Sequence, residues 1–134
     1  MKIYTLIFFL LSLTATAQCD TYHAVVSNDS IYDGDTFKAT VDVGMWGIYK
    51  LEKIRIYGIN TPEINGKQKA AALAARDSLR RLIPPATRIV LQYIDRDKYD
   101  RAVCIIKKDT LDVGRWMISK GLATRYLDTK EIYK

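Results

Sequence analysis

The chain has 134 residues, of which 49% are apolar and 27% charged. That length supports one domain around one core, and that composition excludes a disordered chain or a membrane protein. Its 21 Lys and Arg against 15 Asp and Glu leave a formal charge of +6, which favours a polyanionic partner: nucleic acid, anionic lipid or acidic polysaccharide.

The first residues read as an address. Met1-Lys2 is a short basic start, Ile3 to Leu13 is an almost unbroken apolar run, and Ala15-Thr16-Ala17 supplies small residues for a signal peptidase. A membrane-spanning helix needs roughly 18–20 apolar residues, more than this run holds. The expectation is a signal peptide over residues 1–17 and one domain over residues 18–134, released to the periplasm or outside the cell and without membrane attachment after cleavage. Gln18 is too large to precede a lipidated cysteine at Cys19. Cys19 and Cys104 have the chance to pair in an oxidising compartment, but Cys104 lies in an apolar run and reads equally as a small buried hydrophobe. No disulfide is expected.

Tyr22 to Ser27 reads as a strand, Asn28-Asp29-Ser30 as a turn, and Thr36 to Val43 as a second strand with alternating β-branched and aromatic residues. Gly44 to Gly47 turns the chain into one long strand from Ile48 to Ile59. Lys67 to Ile83 is rich in Ala and Leu, with Ala70, Leu73, Ala74, Leu79, Leu82 and Ile83 near helical spacing, and Pro84-Pro85 ends that helix. Arg88 to Ile94 and Arg101 to Lys107 are strands on either side of the polar turn Asp95 to Asp100. Asp112 is placed to cap a last helix, Val113 to Lys120, with Gly121 at its C′ position. Trp46 reads as a packing residue of the hairpin, Trp116 as a helix core residue, and His23 as structural or solvated. Three strands, a helix, two strands and a helix match an α+β, mainly β chain: a five-stranded OB-type barrel with a helix after its third strand and another at its C-terminal end.

Four stretches hold polar residues that a core does not require. In Asp33-Gly34-Asp35-Thr36 a hairpin turn explains the pattern, and so does a carboxylate, Asp35, that holds a hard cation. Arg55 sits within a strand, on the face expected to carry Tyr57 and Ile59. It is either a solvated side chain or a planar fork for a phosphate. Asn60-Thr61-Pro62-Glu63 reads as a helix start, a reading weakened by Asn65-Gly66 so soon afterwards. Asp97-Lys98-Tyr99-Asp100-Arg101 is a charged turn or a second phosphate clamp, with Tyr99 as a surface for a base or sugar.

Taken together and in order, DGDT (33–36), RIYGINTPE (55–63), DKYDR (97–101) and GLA (121–123) resemble the staphylococcal nuclease, or thermonuclease, family over roughly Tyr22 to Tyr126. The resemblance implies an OB-type barrel that hydrolyses phosphodiester bonds of DNA and RNA with Ca²⁺ and little base specificity, acting as a monomer on single-stranded or breathing regions. By motif it implies Asp35, Asn60 and the Thr61 carbonyl as metal ligands. Glu63 corresponds to the general base, Arg55 and Arg101 to the arginines that stabilise the transition state, and Tyr99 and Tyr126 to contacts with the nucleotide. Two positions depart from the family pattern. Asn60 replaces an Asp and removes a charge from the cation's shell, and Asp100 replaces a Gly, where Asp tolerates positive φ better than most residues. A catalytically weakened OB-fold module that binds nucleic acid is the alternative, and Asn60 is its support. A binder of another polyanion would explain the charge but not the acidic motifs.

Overall fold

The computed structural model describes residues 20–126. The expected leader, the pairing of Cys19 and the tail from residue 127 lie outside the described residues. The elements are β1 (Thr21–Val26), β2 (Thr36–Asp42), β3 (Tyr49–Ile56), β4 (Ile59–Asn60), α1 (Lys69–Leu82), β5 (Arg88–Arg96), β6 (Ala102–Lys108), β7 (Leu111–Asp112), α2 (Val113–Ser119) and β8 (Thr124–Arg125).

Antiparallel pairing runs β3-β2-β1-β5-β6, and a parallel pairing of β3 with β6, from Ile54↔Ala102 to Ile56↔Cys104, closes the sheet into a five-stranded barrel. Closure removes the sheet's exposed edges. Period-two alternation then sorts side chains: Phe37, Ala39, Val41, Ile54, Ile56, Ile89, Leu91, Ala102, Cys104 and Ile106 point inward and are buried. Helix α1 adds Ala75 and Leu79 to this core, its C-cap residue Ile83 follows them, and α2 adds Val113 and Met117. Burial pushes the Cys104 thiol up to about 12, so it behaves as the small hydrophobe that its apolar run suggests.

Three local readings need correction. The long strand expected from Ile48 to Ile59 is two strands: after Ile56 the chain turns through Tyr57-Gly58, with Gly58 at φ +75°. The Tyr57 N–H still bonds the Cys104 carbonyl, 2.8 Å away. The turn breaks the alternation, so Ile59 is 2% exposed rather than sharing an outer face with Arg55. On α1 the buried stripe is Ala72, Ala75 and Leu79, not Ala70 and Ala74, because a run of alanines shows little contrast between its faces. Trp46, expected to pack, stands 94% exposed at the hairpin tip with φ +42°. Trp116 does pack against the core, half-buried. The Asp112 side chain caps α2 through the Arg115 N–H at 3.0 Å, Gly121 takes φ +67° after it, and Asp100 takes φ +59°.

On the face of β3 opposite to that of Arg55, Glu52 binds Lys50 and Arg96, the latter at 3.1 Å. Burial raises the Glu52 carboxyl, but the hydrogen bonds from Arg96 and Lys50 outweigh it and hold the group below its ordinary range. A carboxylate lowered on folding stabilises the fold above its unfolded pKa, and that stability is lost as pH falls through the lower folded value. Urea midpoints measured from neutral pH down to pH about 3 should therefore fall less steeply for Glu52→Gln than for the natural chain.

Candidate active site

The site is built where β2 begins, β3 ends and two loops return. Asp35, just ahead of β2, is 5% exposed. Its Oδ1 meets the Arg55 guanidinium at 2.6 Å and accepts from the Thr36 hydroxyl at 3.1 Å. Its Oδ2 accepts from both the backbone N–H and the hydroxyl of Thr61, each at 3.0 Å. Arg55 lies opposite Thr36 in the β2–β3 register, and its other amine donates to the Ile59 carbonyl and to Asn60 Oδ1, both at 3.2 Å.

Arg101 reaches the same point from the β5–β6 turn. Its Nε donates to Asp97 Oδ2 at 2.7 Å and a terminal amine to the Thr36 hydroxyl at 3.1 Å. Asp97 also accepts the backbone N–H groups of Tyr99 and Arg101. Burial raises the Asp97 carboxyl, but these bonds, led by the backbone N–H of Arg101, hold it below the ordinary range. Arg55 and Arg101 thus converge through the dipeptide Asp35-Thr36. They share a cleft of about 370 Å³ with Asn60, Lys98, Tyr99 and Tyr126. Tyr99 is 66% exposed, with the Arg101 guanidinium 5.3 Å and the Lys98 ammonium 5.0 Å from its ring centre.

A sequence model described as staphylococcal nuclease homologue matches residues 53–134, which hold Arg55, Asn60, Glu63 and Arg101. The chain belongs to the staphylococcal nuclease homologue family. No curated protein matches it. Membership of this nuclease family assigns a nuclease-like or nucleic-acid-binding function to the chain, and the barrel is the OB-type one that its motifs imply.

Two features of this nuclease-family site lie outside the arginine cleft. Glu63 is exposed and makes no ion pair among the described residues. It lines a separate depression of about 690 Å³ with Tyr32, Asp33, Arg76 and Arg80. Asp33, which the sequence offers only as part of a turn, has a buried Oδ1 with no hydrogen-bond partner. Burial pushes its carboxyl up and the Asp35 charge adds to that, against the pull of Arg55, Arg101 and Lys53. Thr36 and Asp97, the groups that aim Arg101, likewise carried no separate sequence signal.

Among the described residues no cluster of three His, Cys, Asp or Glu side chains forms a metal cage. The donors that do gather are hard oxygens, and an unpaired buried carboxylate oxygen on Asp33 beside Asp35 suits an oxygen-seeking cation whose remaining ligands are water or phosphate.

The loop before β2 has no room to shift. Arg80 of α1 donates to the Ile31 carbonyl at 3.1 and 2.8 Å, and a Cβ on Gly34 would meet Ala75 Cβ and Thr61 Cγ2 at 2.8 Å. Gly34→Ala should therefore push the Asp33–Asp35 segment off α1 and lower stability by about 1–3 kcal/mol in urea titration. Unchanged stability would mean that this packing is loose.

Proposed function

We propose that the chain is an exported, calcium-dependent nuclease that hydrolyses DNA and RNA with little base specificity. The observation that carries this reading is the convergence of Arg55 and Arg101 on one cleft, each anchored to Asp35-Thr36. A phosphodiester is already anionic, so an approaching hydroxide is repelled and negative charge grows in the five-coordinate transition state. Two guanidinium groups fixed before the substrate arrives offset that charge without reorganising during the reaction. Glu63, solvated and free of ion pairs among the described residues, takes the proton from the attacking water. Asp35 and Asp33, with Asn60 and the Thr61 carbonyl, would hold Ca²⁺, which supplies further positive charge at the phosphate when bound. Tyr99 and Tyr126, on the rim of the cleft, offer ring faces on which any base can rest, in keeping with loose substrate choice on single strands or breathing regions. The apolar leader supports release to the periplasm or the medium.

The test is digestion of single-stranded DNA and RNA by the purified chain with Ca²⁺ or with EDTA. Cleavage is expected only with Ca²⁺. Arg55→Ala, Arg101→Ala and Glu63→Ala should each lower kcat by at least ~10²–10³. Near-full activity of Glu63→Ala would remove it as the base.

One observation favours the second reading, an OB-fold module that binds without cutting: the Asn60 amide oxygen faces Arg55 at 3.2 Å and brings no charge to a cation. Asn60→Asp should tighten Ca²⁺ binding if position 60 touches the metal. An unchanged calcium titration would place it outside that shell. Binding of DNA with no cleavage in Ca²⁺ would select the module.

A further inference from the structure

The outer face of β2 and β3 runs from the arginine cleft to the hairpin tip, and its side chains are unlike an ordinary solvated surface. Cross-strand partners share a face, so the register Thr36↔Arg55, Lys38↔Lys53, Thr40↔Leu51 and Asp42↔Tyr49 sets four rows in line with Arg55. Behind Arg55 stand two lysines directly opposite each other, both exposed and neither with an ion-pair partner among the described residues. Like charges so placed repel and cost stability. The charge of Lys53 also acts on Asp33 together with Arg55 and Arg101, so it belongs to the same electrostatic field as the cleft. Beyond the lysines, Leu51 is 59% and Tyr49 62% exposed. The carboxylate of this face, Asp42, is turned to the Gly44 N–H at 2.8 Å.

Arg55 lies six positions along β3 from Tyr49, a distance of about 20 Å along a strand. We propose that this face is a track for single-stranded polynucleotide: phosphates lie along Lys53 and Lys38 on their way to Arg55, and bases rest on Leu51 and Tyr49. Unpaired cations beside an exposed aromatic ring, here Tyr49 with Leu51 as an apolar neighbour, are what sequence-tolerant binding of single strands requires. The track is continuous with the cleft through Arg55 itself. The inference rests on reading that cleft as a phosphodiester site and extends its substrate from a single linkage to a chain several nucleotides long.

The test measures binding by fluorescence anisotropy in EDTA, so that cleavage is not needed. It compares a labelled twelve-nucleotide oligothymidylate with a labelled dinucleotide across a salt series. The natural chain should prefer the longer strand, and Lys38→Ala and Lys53→Ala should each flatten the plot of log K against log salt by about 0.7. Tyr49→Ala should weaken the longer strand about tenfold, and Tyr49→Phe, which keeps the ring, should restore it. Equal affinity for the two lengths, or lysine variants with an unaltered salt slope, would overturn the track while leaving the cleft's reading intact. Concentration-dependent self-association abolished by Tyr49→Ala would assign the face to a second copy and overturn it as well. Absence of binding to either strand, joined to absence of cleavage in Ca²⁺, would overturn the track and the nuclease reading together.

Discussion

A carboxylate held out of water is the constraint on which the site is built. Withdrawing an ionised group from solvent costs several kcal/mol unless it is paired and its remaining lone pairs are bonded. Asp35 meets that condition with a guanidinium, two hydroxyls and a backbone N–H. Those donors come from β2, from β3 and from the loop after β4, so satisfying one carboxylate locks three separate pieces of chain to each other. Thr61 can donate twice only if the segment that carries Glu63 returns to the barrel at this point.

Arg55 is in turn fixed at both ends of its fork. One amine is held by Asp35, and the other bridges to the Ile59 carbonyl and Asn60, across the turn that Gly58 permits. Arg101 is held differently, by a charge-assisted bond to Asp97 within its own turn and by the Thr36 hydroxyl. Such bonds are shorter and stronger than neutral ones, so the protein itself holds both guanidinium groups in place, as the proposed binding of a phosphate would need. Preorganisation of this kind is the main source of electrostatic catalysis. The same barrel closure that buries the core, β3 against β6, brings Arg55 and Val103 side by side, which is how Arg55 and Arg101, 46 positions apart in the chain, come to share a cleft.

Much of this architecture was readable in the chain. Alternation in Thr36 to Val43, the Pro84-Pro85 stop and the Asp112 and Gly121 caps are local signals that tertiary packing had no reason to override. The order of strands and helices then left few folds available. The reading lost ground where local signals were faint or misleading. Gly58 sat inside a run of β-branched and aromatic residues that hid a turn. An alanine-rich helix has no apolar contrast by which to choose its buried stripe. Trp46 looked like a packing residue of its hairpin, yet its place at the tip leaves it 94% exposed.

The motifs, by their composition and order, determined the barrel and the family, and they singled out Asp35, Arg55, Glu63 and Arg101 as the residues on which the proposed chemistry rests. Only the folded chain decided which of these meet. It joined Asp35, Arg55 and Arg101 through Thr36, set Glu63 with Asp33 in a separate depression, and aligned Lys38, Lys53, Leu51 and Tyr49 behind Arg55 on one face. The physical reason is that residue type and spacing specify local conformation, whereas the approach of two side chains depends on strand register and barrel closure. Those are fixed by the packing of the whole core at once.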